Sequence, residues 1–408
     1  MLRRTLVLAL IATAQGALAA GEKDPVRVGF LTVNSGALAA GGRQMEEGLT
    51  LYLKEHGNTL AGRPIEVVTL DTAGQPATTR TRTQEAVERY KVHVIIGPLA
   101  AFEALAINDY IKQSKVPVIS PSAAAEDLTQ RSPNPWFVRA VGTSAQPNQP
   151  LGEYAAKTLK YKRVATIGDD FAFGHETTAG FQRTFEDNGG KIVQKQWAPL
   201  NVADYGSYVA AIKPDADAVY ASFAGANGLR FLRQYAEYGL KVPVLGNMTT
   251  VDEGVLKNMG DEAVGVVSSG WYSAAIDSPA NKKFVQAVRA AYGADPGYYT
   301  AGAYTAAMFL DLALQKVKGK IEDKDAFMKA LRSLDIPDSF RGPIKIDEHG
   351  NPVLTVYIRK VERKDGRLQN AVIQTYPNVS QFWKYDPKTF LAQPVYSREY
   401  PKASHLEQ

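Results

Sequence analysis

The sequence predicts an α/β protein built from two doubly wound lobes, and three observations carry that prediction. Short runs dominated by Val, Ile and other strand formers recur along most of the chain, segments of helix length separate them, and the alternation restarts near Thr143. Apolar runs without in-and-out alternation mark parallel strands covered on both faces. The restart makes two such units, within the size range of two ordinary domains.

The elements follow in order. Val26 to Val33 reads as the first buried strand, Asn34 to Gly42 as a loop and Arg43 to Glu55 as a helix. Ile65 to Asp71 is a second strand, and a helix runs from Pro76 to Tyr90 with proline in its first turn, where the missing N–H costs nothing. Val92 to Gly97, a helix over Phe102 to Gln113, and Val116 to Ser120 complete the first unit. In the second, strands are expected at Arg163–Gly168, Lys191–Trp197, Ala218–Phe223, Val242–Leu245 and Val264–Ser269. Helices fall at Gln149–Lys160, Glu176–Asn188, Tyr205–Ile212 and Gly228–Tyr238. The chain then turns helical over Asn281–Tyr292, Tyr298–Lys316 and Lys324–Leu334. A crossing strand at Arg341–Ile346 precedes a hairpin, Val353–Val361 with Leu368–Tyr376, turned at Asp365-Gly366. Late elements of this kind imply that the chain crosses between lobes more than once. The expected division is residues 25–143 with 274–346 in one lobe, 144–273 with 347–380 in the other, and 381–408 as an aromatic, Pro-containing extension over a surface.

The start of the chain points to export. Arg3 and Arg4 precede an apolar run from Thr5 to Ala14, and Ala17-Leu18-Ala19 supplies small residues for a cut near Ala19. That pattern is a secretory signal peptide over residues 1–19, too short to span a bilayer. The formal charge of +5 is spread along the chain, so neither nucleic acid nor a membrane surface is an expected partner. With no cysteine in the chain, disulfides, thiolate catalysis and Cys-ligated metals are excluded.

Signatures of catalysis are missing. The loop after the first strand lacks the dinucleotide G-x-G-x-x-G spacing, and no phosphate-binding loop, H-E-x-x-H or G-x-S-x-G is present. The five histidines share no metal-ligand spacing, so neither metal nor cofactor is expected. Scattered carboxylates of a hydrolase would escape such a search, and a secreted hydrolase stays open as an alternative. Three loops at strand ends instead suit a binding cleft: Asn34 to Gly42, Gly97 to Phe102, and Ser120 to Ala125. In the first, small residues leave space and backbone N–H groups lead into a helix, a setting for an anion; the second is a tight loop that opens a helix, and the third is a run of small residues after a strand. The competing reading of each is a loop kept small for close packing.

Taken in order, these segments resemble the periplasmic solute-binding receptors of branched-chain amino acid, amide and urea ABC importers, the leucine-binding-protein-like family. The matching stretches are Ser35-Gly36 with Gly48, Ile96-Gly97-Pro98, Val116 to Ala123, Phe137 to Ala140, Asp169 to Gly174, Val242 to Gly246, Pro279 to Phe284, Tyr298 to Tyr304 and Gly342-Pro343-Ile344. The resemblance implies two Rossmann-like lobes of the type I periplasmic arrangement, joined by a three-segment hinge. It further implies a monomer in the periplasm that closes over a small molecule and docks on a membrane permease; a sensor subunit of the same fold is the alternative. In that family hydroxyls and amides at positions matching Ala101 and Ser122 to Ala124 hold a ligand carboxylate, and an acid holds the ammonium. Here Met248 stands at the acid's position, with Thr249 beside it and Asp252 nearby. An ammonium buried without a carboxylate costs several kcal/mol, so a free amino acid is disfavoured unless Asp252 substitutes. Phe102, Phe173, Phe223, Trp271, Tyr272 and Tyr299 lie at or beside the matched loops and suit a planar ring, the competing reading being core packing. The chain resembles the members that carry benzoates and cinnamates. Ser35, Gly41, Ser144 and Ala224 complete the expected contact set, and Arg43 and Gln146 are the candidate polar anchors. Arg43 either pairs with a carboxylate or is a solvated residue of the helix start.

Overall fold

The structure, a computed structural model, describes residues 24–407. The signal-peptide reading of residues 1–19 lies outside the described residues. Two sheets organise the chain. The first holds β1 (Val26–Thr32), β2 (Thr59–Leu60), β3 (Arg63–Asp71), β4 (Val94–Ile96), β5 (Val118–Ser120) and β6 (Phe137–Arg139) in the order β2-β3-β1-β4-β5-β6. Apart from the β2–β3 hairpin, its strands pair in parallel, with Val28 opposite both Val67 and Val94.

The second sheet has nine strands: β7 (Arg163–Asp169), β8 (Lys191–Ala198), β9 (Ala218–Ser222), β10 (Val244–Gly246), β11 (Val267–Gly270), β12 (Asp335–Ile336), β13 (Ile344–Ile346), β14 (Pro352–Lys364) and β15 (Arg367–Val379). Its order is β12-β13-β14-β11-β10-β9-β7-β8, with β15 paired to β14. In each sheet the unit's first strand sits between strands that follow it, β1 between β3 and β4, β7 between β8 and β9. That reversal opens a crevice at the carboxyl ends, where ligands of doubly wound folds bind.

The helices are α1 (Ala39–Glu55), α2 (Pro76–Gln84), α3 (Ala101–Ser114), α4 (Asn148–Lys157), α5 (Ala172–Asp187), α6 (Gly206–Ala210), α7 (Asn227–Glu237), α8 (Glu253–Leu256), α9 (Pro279–Tyr292), α10 (Tyr298–Lys316), α11 (Lys324–Arg332) and α12 (Pro387–Leu391). Helix α1 packs against α10 through Gly48, where a Cβ would lie 2.1 Å from the Thr300 carbonyl oxygen. Any side chain there would push the two helices apart. The hairpin turns at Asp365 and Gly366, both at positive φ, as a two-residue turn between twisted strands requires.

The chain passes between the sheets three times, after β6, after β11 and between α11 and β14. The third passage is mixed: β12 and β13 hydrogen-bond into the larger sheet, while Ile336, Phe340, Ile344 and Ile346 pack into the first lobe's core. Gln146 ties the first passage to the third. Its amide donates to the carbonyls of Pro352 (2.9 Å) and Val379 (2.8 Å), and its Oε1 accepts from Thr143 N and Asn351 Nδ2. Beyond β15, Phe382, Phe390 and Tyr396 pack on Ala145 and Ala179, and Arg131 donates to the carbonyls of Phe390 and Gln393.

Candidate functional site

The carboxyl ends of the two sheets face each other across a cavity with about 310 Å³ of empty space. From the first lobe come Leu38, the Leu99–Ala101 loop, Ser122, Ala124 and the start of α10 at Tyr298 and Tyr299. The second lobe supplies Phe171, Phe173, Ala224 and Thr249. A second chamber of about 260 Å³ shares Ala124, Phe173, Thr249 and Tyr298 with the first and ends at Gly142, Met248 and Trp271. Ser35, Gly36, Leu200 and Asn201 line an outer mouth of about 710 Å³ that shares Leu38.

Local rules place these walls. Strand β7 runs into α5 with almost no loop because a Cβ on Gly174 would strike the Asp169 carbonyl oxygen at 2.0 Å. That tight turn sets Phe171 and Phe173 at the helix start, their rings 6.0 Å apart. The Asp169 carboxyl, pushed up to about 7 by burial, accepts from Ala224 N (2.8 Å) and Asn227 Nδ2 (2.6 Å). It thereby draws the loop after β9 beside the loop after β7. Opposite, Tyr298 Oη donates to the Ser122 carbonyl at 2.7 Å, and the Gly225 N–H supports the Tyr299 phenol oxygen.

Polarity along the walls is one-sided. The carbonyl oxygens from Ser122 to Ala125, in the loop after β5, are all taken. Ser122 O accepts from Tyr298, Ala123 O from Ser120 Oγ and Arg139 Nε, Ala124 O from Ser144, and Ala125 O from Arg139 Nη2. Among the described residues, the N–H groups of Ser122, Ala123 and Ala124 meet no acceptor. The first amides of α3 are unpaired by helix geometry, and α1, α5 and α10 also begin at this wall. No Asp, Glu, Lys, Arg or His lines either chamber among the described residues. The site is therefore a ring-walled slot, with Thr, Ser and Asn side chains in its second chamber and backbone donors left unengaged at the loop after β5. It has the chemistry to hold an anion and a flat apolar body, and no group within it to act as nucleophile or base beyond neutral phenols and hydroxyls.

Of the residues expected from sequence, Ala101, Ser122, Ala124, Phe173, Ala224, Thr249 and Tyr299 line the first chamber, and Ser144 and Met248 the second. Ser35 belongs to the outer mouth. The others stand elsewhere. Gly41 lies under Tyr299, where a Cβ would sit 2.9 Å from the ring, and Phe102 meets Phe171 edge-on at 5.6 Å. Ala123 is fully buried, and Phe223 is a core residue between Tyr205 and Phe231. Neither proposed anchor reaches the slot: Arg43 is exposed, and Gln146 is spent on the hinge carbonyls. Asp252 does not replace the missing acid either. Its carboxylate takes the N–H groups of Tyr298 (2.5 Å) and Gly254 (3.0 Å), linking α8 of one lobe to α10 of the other. Tyr272 packs with Phe284 and Phe340 in the core, its hydroxyl on Asn281.

Sequence reasoning passed over Phe171, Tyr298 and Leu38. Phe171 and Tyr298 adjoin residues that were chosen, and a signal existed for both: they flank helix starts, where one residue on either side also faces the crevice. Leu38 lies within the Asn34–Gly42 loop singled out for a cleft, but nothing distinguishes it from its neighbours there.

Comparison with known proteins agrees with this geometry. A family model described as periplasmic binding protein matches residues 25–367. The Leu/Ile/Val-binding protein homolog 6 of Brucella melitensis is 29% identical over 383 residues, covering 91% of this chain and 97% of that protein. Among solved structures, a solute binding protein of an ABC transporter from Rhodopseudomonas palustris BisB5, in complex with 3,4-dihydroxy benzoic acid, is 36% identical with a TM-score of 0.83, covering 88% of this chain and 98% of that one. A second, from Rhodopseudomonas palustris HaA2 in complex with p-hydroxybenzoic acid, is 30% identical with a TM-score of 0.82 over 88% of this chain and 99% of its own. The two-lobed α/β fold and the match across most of the chain lead to one conclusion: the chain belongs to the periplasmic binding protein family, whose members are non-catalytic solute-binding proteins.

Proposed function

We propose that this protein is the periplasmic solute-binding component of an ABC importer, that it captures a small aromatic carboxylic acid between its lobes, and that the closed form delivers the acid to a membrane permease. The observation that carries the ligand class is the loop after β5, with every carbonyl from Ser122 to Ala125 engaged and the amides of Ser122 to Ala124 left over, set beside Phe171, Phe173, Tyr298 and Tyr299. Unengaged amides suit a carboxylate, and ring faces on both sides suit a planar body. Similar proteins from Rhodopseudomonas palustris hold hydroxylated benzoic acids, which supports the same class here.

Closure follows from the same contacts. A guest touching Ser122 on one lobe and Phe173 on the other binds the closed arrangement better than the open one, and so shifts the population toward it. Cross-lobe links such as Asp252 to Tyr298 N add to that state.

A second reading, a branched-chain amino acid receptor, is favoured by the name of the Brucella relative. Against it stands the absence of any carboxylate on the slot wall among the described residues, which leaves an α-ammonium without a partner. Calorimetric titration of the purified protein with benzoates, phenylpropenoates and branched-chain amino acids tests the choice. One-to-one binding of an aromatic acid with no heat from leucine is expected; tight leucine binding would overturn the ligand class.

A further inference from the structure

The indole of Trp271 closes the far end of the second chamber, and over its ring lies a buried guanidinium with donors that nothing in the protein uses. Trp271 lines that chamber, is 1% exposed, and its Nε1 has no acceptor. Arg341, 2% exposed, lies with its guanidinium carbon 4.5 Å from the centre of the same indole ring. Its Nη2 donates to the Ala140 carbonyl at 2.6 Å, while Nε and Nη1 are buried without a partner. Among the described residues no carboxylate pairs with it; the charged or titratable neighbours are the phenols of Tyr298 and Tyr357. Arg139 and Arg359, equally buried, differ. Each spends both terminal nitrogens on oxygen acceptors, and Arg359 has Glu253 beside it.

A buried cation without an anion is costly, and burial has already pushed this guanidinium down to about 9. Such a group is kept at a cost to stability, and an oxygen atom arriving within its reach recovers part of that cost. Trp271 belongs to the hinge end of the slot, and Arg341 stacks over its ring without lining either chamber. The amides of Ser122 to Ala124 stand nearer the other chamber, and Ala124, Phe173, Thr249 and Tyr298 join the two spaces.

We propose that the slot is donor-lined at both ends, and that Trp271 Nε1, with the Arg341 guanidinium stacked over its ring, forms a second subsite selecting aromatic acids that carry a further oxygen, phenolic or carboxylate, on the side of the ring opposite the first carboxylate. Trp271 Nε1 engages that oxygen directly, and Arg341 reaches it through one ordered water. This rests on the aromatic-acid reading given above and sharpens it from a class of acids to a substitution pattern.

Calorimetry with benzoate and its 4-hydroxy and 4-carboxy derivatives tests it, using the wild-type protein, Trp271→Phe and Arg341→Met. Trp271→Phe keeps the ring and removes only the N–H, so it reports even if Arg341→Met fails to fold. Wild type is expected to bind the 4-substituted acids roughly tenfold or more tighter than benzoate, as a hydrogen bond to a charged or strongly polar donor implies. In both variants that preference should fall to within about threefold. A preference that survives both substitutions, or a uniform loss for benzoate and its derivatives alike, would overturn the second subsite and leave the aromatic-acid reading standing. Failure of wild type to bind benzoate or any derivative would instead remove the underlying reading, and the subsite with it.

Discussion

Phe173 is the side chain on which binding and stability separate most cleanly. It lines both chambers from the start of α5, has the Phe171 ring 6.0 Å away, and is half-buried at the edge of the first lobe's core. An aromatic side chain offers about 150–250 Å² in all, and a flat guest lying on one face covers roughly a third of it. That is about 60 Å², or about 1.5 kcal/mol at 25 cal/mol per Å². A favourable ring pairing adds about 0.5–1 kcal/mol. Phe173→Ala is therefore expected to weaken an aromatic acid by about 2 kcal/mol, roughly thirtyfold in Kd. Its cost to folding should stay below the about 3–5 kcal/mol of a core Phe→Ala change, because the ring is not enclosed by the lobe's interior. Calorimetric titration beside thermal unfolding reads both quantities on one preparation. A Kd within threefold of wild type with the fold intact would refute the placement of the guest against this ring, and loss of folding would refute the half-buried cleft position.

Three further outcomes follow from the same structure. Met248→Glu puts a carboxylate at the end of the second chamber, so aromatic acids should bind at least about tenfold more weakly through like-charge repulsion, while heat from leucine should appear where wild type gives none. Gln146→Ala removes an amide that bridges Thr143, Asn351, Pro352 and Val379, so the Val379 carbonyl and the Thr143 N–H lose this partner; the melting temperature should fall by several degrees while Kd changes by less than about threefold. Glu126 and Glu176 are buried together, the N–H of Glu126 on Glu176 Oε1, and burial followed by their mutual repulsion holds Glu176 well above its ordinary value of 4.5. Between that value and the raised one the folded protein keeps a proton that the unfolded chain has released, so stability falls as pH rises through the interval. Glu176→Gln should therefore melt higher than wild type at pH 8, with the difference shrinking toward pH 5; an unchanged difference across that range would contradict the sign.

Much of the architecture was legible because it is written in local pattern. The apolar runs of β1, β3, β7 and β9 and the helical period over Tyr298–Lys316 needed no tertiary information. Strand β6, Phe137–Arg139, escaped because three residues following Pro135 and Trp136 carry no periodicity of their own; pairing with β5 makes them a strand. The helix expected over Pro76–Tyr90 changes pitch at Glu85, passing into a π turn over Glu85–Arg89. The slot was readable where small residues end a strand and open a helix, as at Ala101, Ser122 and Phe173. It was not readable where polarity alone suggested a contact. Gln146 sits in a crossing loop, as a ligand-binding amide would, yet its partners are carbonyls more than two hundred residues away, which no local pattern announces. Arg341 is the converse case: a residue of the third crossing whose burial beside Trp271 appears only once the lobes are assembled.

The central claim is that a carboxylate-bearing ring is enclosed between the two lobes, and a crystal structure of the protein grown with 4-hydroxybenzoate tests it most directly. The expected density is one ring between Phe171 and Phe173 on one side and Tyr298 and Tyr299 on the other, its carboxylate on the amides of Ser122 to Ala124. A guest found outside this slot, or a slot closed by the protein's own side chains with the ligand absent at saturating concentration, would contradict it.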